Sequence, residues 1–145
     1  MSVPIWTNRN LIIKDFIEEN KTVVDFGCGN KDILNYINPK NYIGLDNNKY
    51  ADIKIDFNKD RISLTKTYDY GLILGVLEYL NSPYQFIEET KIYVDTMIIL
   101  IFPREKKKLH WNQSLSTQET SIFLQSLFTN VLEHKFDRYV LFKCS

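Results

Sequence analysis

Val23-Val24-Asp25-Phe26-Gly27-Cys28-Gly29-Asn30 is the stretch that decides the fold. Thr22 to Phe26 is a short β-branched run that stops at glycines, which predicts a buried strand entering a tight turn. Lys31 to Ile37 is predicted as a short helix, with Ile33, Leu34 and Ile37 facing inward, broken before Pro39. Glycines permit positive φ and close approach of a ligand to the backbone. A helix N-terminus adds unpaired N–H groups and a partial positive charge. The strand-to-helix turn is therefore the place to expect a ligand.

Outward from this turn, the chain alternates. Thr7 is a candidate N-cap for an amphipathic helix to Asn20, with Leu11, Ile12, Phe16 and Ile17 apolar. Tyr42 to Asp46 reads as a strand, and Ile53 to Phe57 as another nearer a sheet edge. Tyr70 to Val76 is a continuous apolar run, as expected for a central parallel strand. Ser82 and Pro83 open a helix to about Tyr93, and Met97 to Phe102 is a second buried strand ended by Pro103. After the charged, irregular stretch Arg104 to Ser114, Ser116 and Glu119 form a capping box for a helix to Phe128. Val131 to Phe136 and Arg138 to Lys143 predict a final antiparallel hairpin. This order predicts an α/β fold: a doubly wound, mostly parallel seven-stranded sheet with helices on both faces. Ligands of such sheets sit beyond the carboxyl ends of the strands, so functional residues should follow Phe26, Leu45, Ile55, Leu74 and Phe102.

The 145 residues suit one domain spanning 1–145. Hydrophobic residues at 44% and charged residues at 25% exclude a disordered chain, a collagen and a coiled coil. Eighteen basic and eighteen acidic residues cancel, which weighs against a dedicated nucleic-acid binder. Cys28 and Cys144 match no metal spacing and read as free thiols of a reducing compartment. Met97 to Phe102 is far short of the roughly 20 apolar residues that cross a bilayer. No signal peptide opens the chain, so a soluble, cytoplasmic protein without membrane insertion is expected.

Two ligand classes use a glycine turn of this kind. A dinucleotide needs G-x-G-x-x-G, but Asp32 stands at the third glycine, and Asp25 would oppose a pyrophosphate. A ligand with a cation for Asp25 and a carboxylate for the helix N-terminus fits the charges better. S-adenosylmethionine (SAM) has an ammonium, a sulfonium and a carboxylate. Asp25-Phe26-Gly27-Cys28-Gly29 resembles motif I of class I SAM-dependent methyltransferases, D-x-G-x-G-x-G, with Lys31 in place of the last glycine. That lysine is expected to narrow the methionine end. The resemblance implies a Rossmann-like fold, SAM as cofactor and S-adenosylhomocysteine (SAH) as product.

Further stations agree in order. Asp46, after Ile43-Gly44-Leu45, is an acid able to accept from both ribose hydroxyls, a role it would share with a nicotinamide enzyme. In the resembling family, an acid and an apolar residue after the third strand meet adenine, which implies Asp56 as acceptor and Phe57 as stacking partner. Tyr68 to Leu80 resembles the fourth-strand motif, in which an acid opens the strand and a G-V-L-E-Y turn follows it. Gly75 would let the backbone bend near the sulfonium, Val76 and Leu77 would pack on adenine or the methyl channel, and Asp69 reads as structural. Glu78 and Tyr79 face either the acceptor or the following helix. The cofactor-side residues are thus Asp25, Gly27, Cys28, Gly29, Asp46 and Asn47, with Asp56, Phe57, Gly75 and Val76.

Methyl transfer displaces a sulfonium, and alignment supplies much of the rate. A hydroxyl acceptor benefits from a general base, and an imidazole titrating near 6.5 suits that task. His110, in the stretch after the fifth strand, is the candidate, whereas His134 lies in the hairpin, far from the cleft. Leu109 to Ser116 resembles a segment of small methyltransferases from bacterial surface-polysaccharide gene clusters. That likeness implies a saccharide or glycan-precursor hydroxyl as acceptor, with Trp111 on a sugar face or anchoring the loop, and Asn112 on a hydroxyl. Arg104 with Lys106, Lys107 and Lys108 would meet a phosphate, such as that of a nucleotide-sugar, or form a solvated loop. The acceptor would be covered by the N-terminal helix, the loop after the fifth strand or a second subunit, so a monomer or homodimer is expected. The rival classes are a non-catalytic SAM-binding or partner-binding module and a nicotinamide oxidoreductase.

Overall fold

The computed structural model describes residues 5–104 and 111–145. Three α-helices, α1 (Ile5–Ile13), α2 (Pro83–Lys91) and α3 (Thr117–Leu127), pack on one seven-stranded sheet. The strands are β1 (Thr22–Phe26), β2 (Asn41–Asp46), β3 (Ile53–Lys54), β4 (Tyr68–Leu74), β5 (Val94–Ile101), β6 (Val131–Phe136) and β7 (Tyr139–Cys144). Their spatial order is β3-β2-β1-β4-β5-β7-β6. The first five are parallel, while β7 runs antiparallel to β5 and β6 antiparallel to β7. The chain starts at the centre, walks outward to β3, then crosses to β4 on the other side of β1. That reversal opens a crevice beyond the carboxyl ends of β1 and β4.

Alternation along the central strands divides the core into two layers. Phe26, Ile73, Met97, Ile99 and Phe142 face α2 and α3, meeting Phe86, Ile87 and Leu124. Val23, Leu72, Leu74, Ile98, Leu100 and Leu141 face the other way, against Ile13 and Ile17 at and beyond the end of α1, and Ile33. Helices do cover both faces, but unequally. The second layer has α1 and two 3-10 turns, Lys14–Phe16 and Asp32–Asn35, as its cover. Among the described residues no helix is long and apolar enough to cross a membrane.

Several predicted elements change length for local reasons. α1 begins at Ile5, so Thr7 lies inside it rather than capping it, and regular helix stops at Ile13. The predicted helix over 31–37 is a four-residue 3-10 turn, entered through Lys31 in the left-handed conformation (φ +64°). The predicted strand over 53–57 pairs only at Ile53 and Lys54, because the Asp56 N–H turns to the Asp60 carboxylate (3.0 Å). β4 begins two residues earlier than predicted and ends at Leu74, before Gly75 (φ +70°). Ser82 caps α2 only through its backbone carbonyl, whereas the Ser116 hydroxyl accepts the Glu119 N–H at 3.0 Å as the capping box requires. Away from the crevice, the Asp69 carboxylate accepts from the Thr22 N–H (2.9 Å) and hydroxyl (3.1 Å), pinning β4 to β1. These bonds hold the Asp69 carboxyl below its ordinary range, in keeping with a structural role.

Leu72 is fully buried in the thinly covered layer. Leu72→Ala should lower the unfolding free energy by about 2–5 kcal/mol in denaturant titration, with an unchanged denaturant slope. A loss under about 1 kcal/mol would contradict this packing.

Candidate functional site

The floor of the crevice is made by two turns that touch. After β1, the Gly27 and Cys28 N–H groups both donate to the Leu45 carbonyl (2.7 and 3.0 Å), which ties the glycine loop to β2. Gly27 has φ +93°, and a Cβ there would strike the Val76 side chain in the turn after β4. A Cβ on Gly75 would stand 2.8 Å from Arg9 Nη1 of α1. Both positions favour glycine by conformation (φ +93° and +70°), and Gly27 also for room, whereas the flexible Arg9 end could shift away from a Cβ at Gly75. Lys31, in the place of the third glycine, takes the left-handed conformation itself. Its ammonium pairs with Asp52 (2.8 Å) and lies over the Tyr42 ring, and it is not among the lining residues. The expected narrowing of the methionine end by Lys31 is therefore corrected.

The crevice has two joined lobes. The first, of about 420 Å³, is lined by Asp46, Asn47, Asp56, Phe57 and Val76. The second, of about 710 Å³, is lined by Asp25, Cys28 and Gly29, with Asn10 of α1. Arg9, Gly27, Leu74, Gly75 and Tyr79 border both. Every residue assigned to the cofactor side in the sequence is thus brought to one cleft. In the first lobe, the Asp46 carboxylate is oriented by the Gly29 N–H (2.8 Å) and the Asn47 N–H (2.7 Å). The Asp56 carboxylate accepts from the Asn58 N–H (2.9 Å), and Phe57 packs edge-on against Phe86, with centroids 4.9 Å apart.

The second lobe is electrostatically unfinished. Asp25 is buried; one carboxyl oxygen accepts from the Tyr42 hydroxyl (2.7 Å) and the other has no partner. Burial drives its pKa up to about 7, opposed by the Tyr42 hydrogen bond. Burial also raises the Tyr42 phenol, which stays a donor, and pushes the Cys28 thiol to about 11, so Cys28 is neutral. The Asn10 side-chain oxygen and Arg9 Nε are likewise buried without partners. Buried polar atoms normally find partners, so three orphans around one lobe make it a candidate seat for polar groups. Sequence reasoning missed Arg9 and Asn10. The one available signal was an adjacent polar pair, Arg9-Asn10, preceding the apolar Leu11-Ile12-Ile13 run.

The residues assigned to the acceptor separate. Tyr79 borders both lobes and is half-exposed. Glu78 is corrected: its buried carboxylate accepts the Phe102 N–H (2.9 Å), and its carbonyl accepts from the Asn112 and Gln113 N–H groups. Asn112 is corrected too, since its amide donates to the Tyr79 carbonyl (2.7 Å) and to Asn81 (3.0 Å). Trp111 is buried edge-on against Phe102, which answers to the anchoring role rather than the sugar-stacking one. Arg104 lies over the Phe102 ring and does not line the cleft. Glu78, Asn112 and Trp111 fasten residues 111–113 to the sheet end. His110, Lys106, Lys107 and Lys108 lie outside the described residues. His134 packs against Phe16 and Phe136 in the second layer, away from the cleft.

The raised pKa of Asp25 has a sign that stability can report. From its ordinary 3.8 to about 7, the native state holds a proton that the unfolded state releases, so this group lowers stability as pH rises through that window. Asp25→Asn should gain on the wild type by about 1–3 kcal/mol between pH 4 and 7.5 in parallel denaturant titrations. A pH-independent difference would contradict the buried, uncompensated carboxyl.

No protein-family model matches the sequence, and no curated protein matches it significantly. Solved structures do match. The chain is similar to the N-methyltransferase NodS from Bradyrhizobium japonicum in complex with SAH, at 11% identity and TM-score 0.70 over 96% of this chain and 84% of that one. It is similar to the 1,6-didemethyltoxoflavin-N1-methyltransferase of Burkholderia thailandensis with SAH, at 11% identity and TM-score 0.73, over 97% and 77%. A SAM-dependent methyltransferase from Archaeoglobus fulgidus matches at 13% identity and TM-score 0.73, over 97% and 93%. The parallel walk from the centre, the crossover to β4 and the closing antiparallel hairpin together give this chain the fold of the SAM-dependent methyltransferases.

Proposed function

We propose that the chain is a SAM-dependent methyltransferase acting on a small-molecule acceptor. The observation that carries this reading is the content of one cleft at the switch point. An oriented acid and an apolar ring in one lobe suit an adenosine. Unpaired acceptors and an unpaired cation in the other suit an amino-acid end. SAH in the similar structures points the same way. A nicotinamide dinucleotide fits worse, because its pyrophosphate would meet buried Asp25.

The residues present fit SAM by its polar groups. Asp46 would hold the ribose hydroxyls, Asp56 and Phe57 the adenine, and Asp25 with Asn10 the ammonium. SAM bound there would supply a methyl group on a sulfonium, already activated for displacement. The protein's part is then to fix the acceptor in line and exclude water. Tyr79, Tyr50 and Tyr139 line the second lobe, and the exposed Tyr79 and Tyr50 would be within reach of an acceptor there. The finer reading of a saccharide or glycan-precursor hydroxyl rests on the sequence likeness of the 109–116 segment, His110 as base on its place after the fifth strand, and a cytoplasmic setting on Cys28 and Cys144 read as free thiols. Its proposed sugar contacts move from Trp111 and Asn112 to these tyrosines.

Asp46→Ala should weaken SAH binding about tenfold or more by calorimetry, since it removes hydrogen bonds to a charged group, while the circular dichroism spectrum stays unchanged. Unaltered affinity in a folded variant would contradict the assignment of Asp46. SAH binding by the wild type with no methyl transfer to any acceptor screened would favour the non-catalytic module.

A further inference from the structure

The glycine loop leads to a poor anion seat. The turn after it has four residues rather than the turns of an α-helix. The Asp32 N–H at its start is taken by the Asn30 side chain (3.1 Å). The Asp32 carboxylate, which accepts from Asn10 (3.0 Å) and Asn35 (3.2 Å), puts negative charge where an anion would have to sit. A zwitterionic ligand in the second lobe therefore needs its carboxylate placed elsewhere.

Arg9 is the one cationic residue lining either lobe among the described residues, and it borders both. No described carboxylate stands within ion-pair distance of its guanidinium. Its Nε is buried without a partner, while Nη1 abuts Gly75 and the guanidinium faces the Tyr139 ring 6.0 Å away. The two buried orphan acceptors of the same lobe, Asn10 and Asp25, suit a cation. Charges of both signs are thus laid out for a group that carries both.

We propose that Arg9 of α1, and not the turn after the glycine loop, is the carboxylate seat of this cleft. This rests on the reading of the cleft as a SAM site. The carboxylate is that of the cofactor's methionine end or of an acceptor bound beside it, and both would meet the same planar fork of donors. α1 then closes the ligand in from the side of the second layer. The left-handed Lys31 and the shortened turn behind it become tolerable, because no helix N-terminus is needed there.

The test is calorimetry of the wild type, Arg9→Gln and Arg9→Lys with SAH and with 5′-methylthioadenosine, which lacks the amino-acid end. A cofactor seat predicts that Arg9→Gln weakens SAH about tenfold to a hundredfold, that Arg9→Lys weakens it less, and that 5′-methylthioadenosine changes under twofold. Retained 5′-methylthioadenosine binding shows that the variants fold. An acceptor seat predicts unchanged SAH affinity, with acetate saturably shifting the Arg9 Nε–H resonance in the SAH-saturated wild type. Unchanged SAH affinity without that acetate response overturns the assignment of Arg9. Failure of the wild type to bind either nucleoside overturns the cofactor reading itself, and this inference with it.

Discussion

The absence of a side chain at Gly27 is the constraint on which the site depends. Val76 occupies the space a Cβ would need, so the turn after β1 and the turn after β4 meet in contact. That contact sets the floor between the two lobes. Around it, the Leu45 carbonyl draws in the Gly27 and Cys28 amides, and the Gly29 amide orients Asp46. One backbone loop therefore fixes the ends of three strands. At the opposite end, Asp69 and Thr22 hold β1 and β4 in register, so the crevice is framed by a rigid sheet.

The charge pattern follows from burial. Asp25 sits in a low-dielectric pocket where its ionised form is costly unless a cation arrives. Tyr42 satisfies one oxygen and leaves the other buried without a partner, on a residue that lines the second lobe. Arg9 stands across the same space without a carboxylate of its own. An arrangement that leaves buried donors and acceptors unsatisfied costs stability, and such costs concentrate at functional sites. The neutral Cys28 thiol adds packing but no nucleophile.

Much of the fold was legible because buried parallel strands read as apolar runs. Val23 to Phe26, Tyr70 to Leu74 and Met97 to Ile101 all stand in the core as their composition implied. The residues assigned to the cofactor were legible because each lies at or just beyond the carboxyl end of a strand. Local side-chain competition was not legible. Asp60 captures the Asp56 amide and cuts β3 short, and the turn entered through left-handed Lys31 ends after Asn35, where Tyr36 leaves the helical region. Glu78, Trp111 and Asn112 look like chemistry in one dimension and prove to be fasteners, since their partners come from distant strand ends. Arg9 and Asn10 were hidden by the opposite error. Helical periodicity assigns polar positions to solvent, and this polar pair faces the cleft.

The most direct measurement is a calorimetric titration of the wild-type protein with SAH at pH 6.5 in two buffers of different ionisation enthalpy. At that pH Asp25, with its pKa near 7, is mostly protonated, and an ammonium beside it favours the ionised form. The account predicts saturable binding with release of up to one proton, and less release at pH 8.5. Saturable binding with no proton exchanged would contradict the placement of the amino-acid end at Asp25, and no binding at all would contradict the cofactor site.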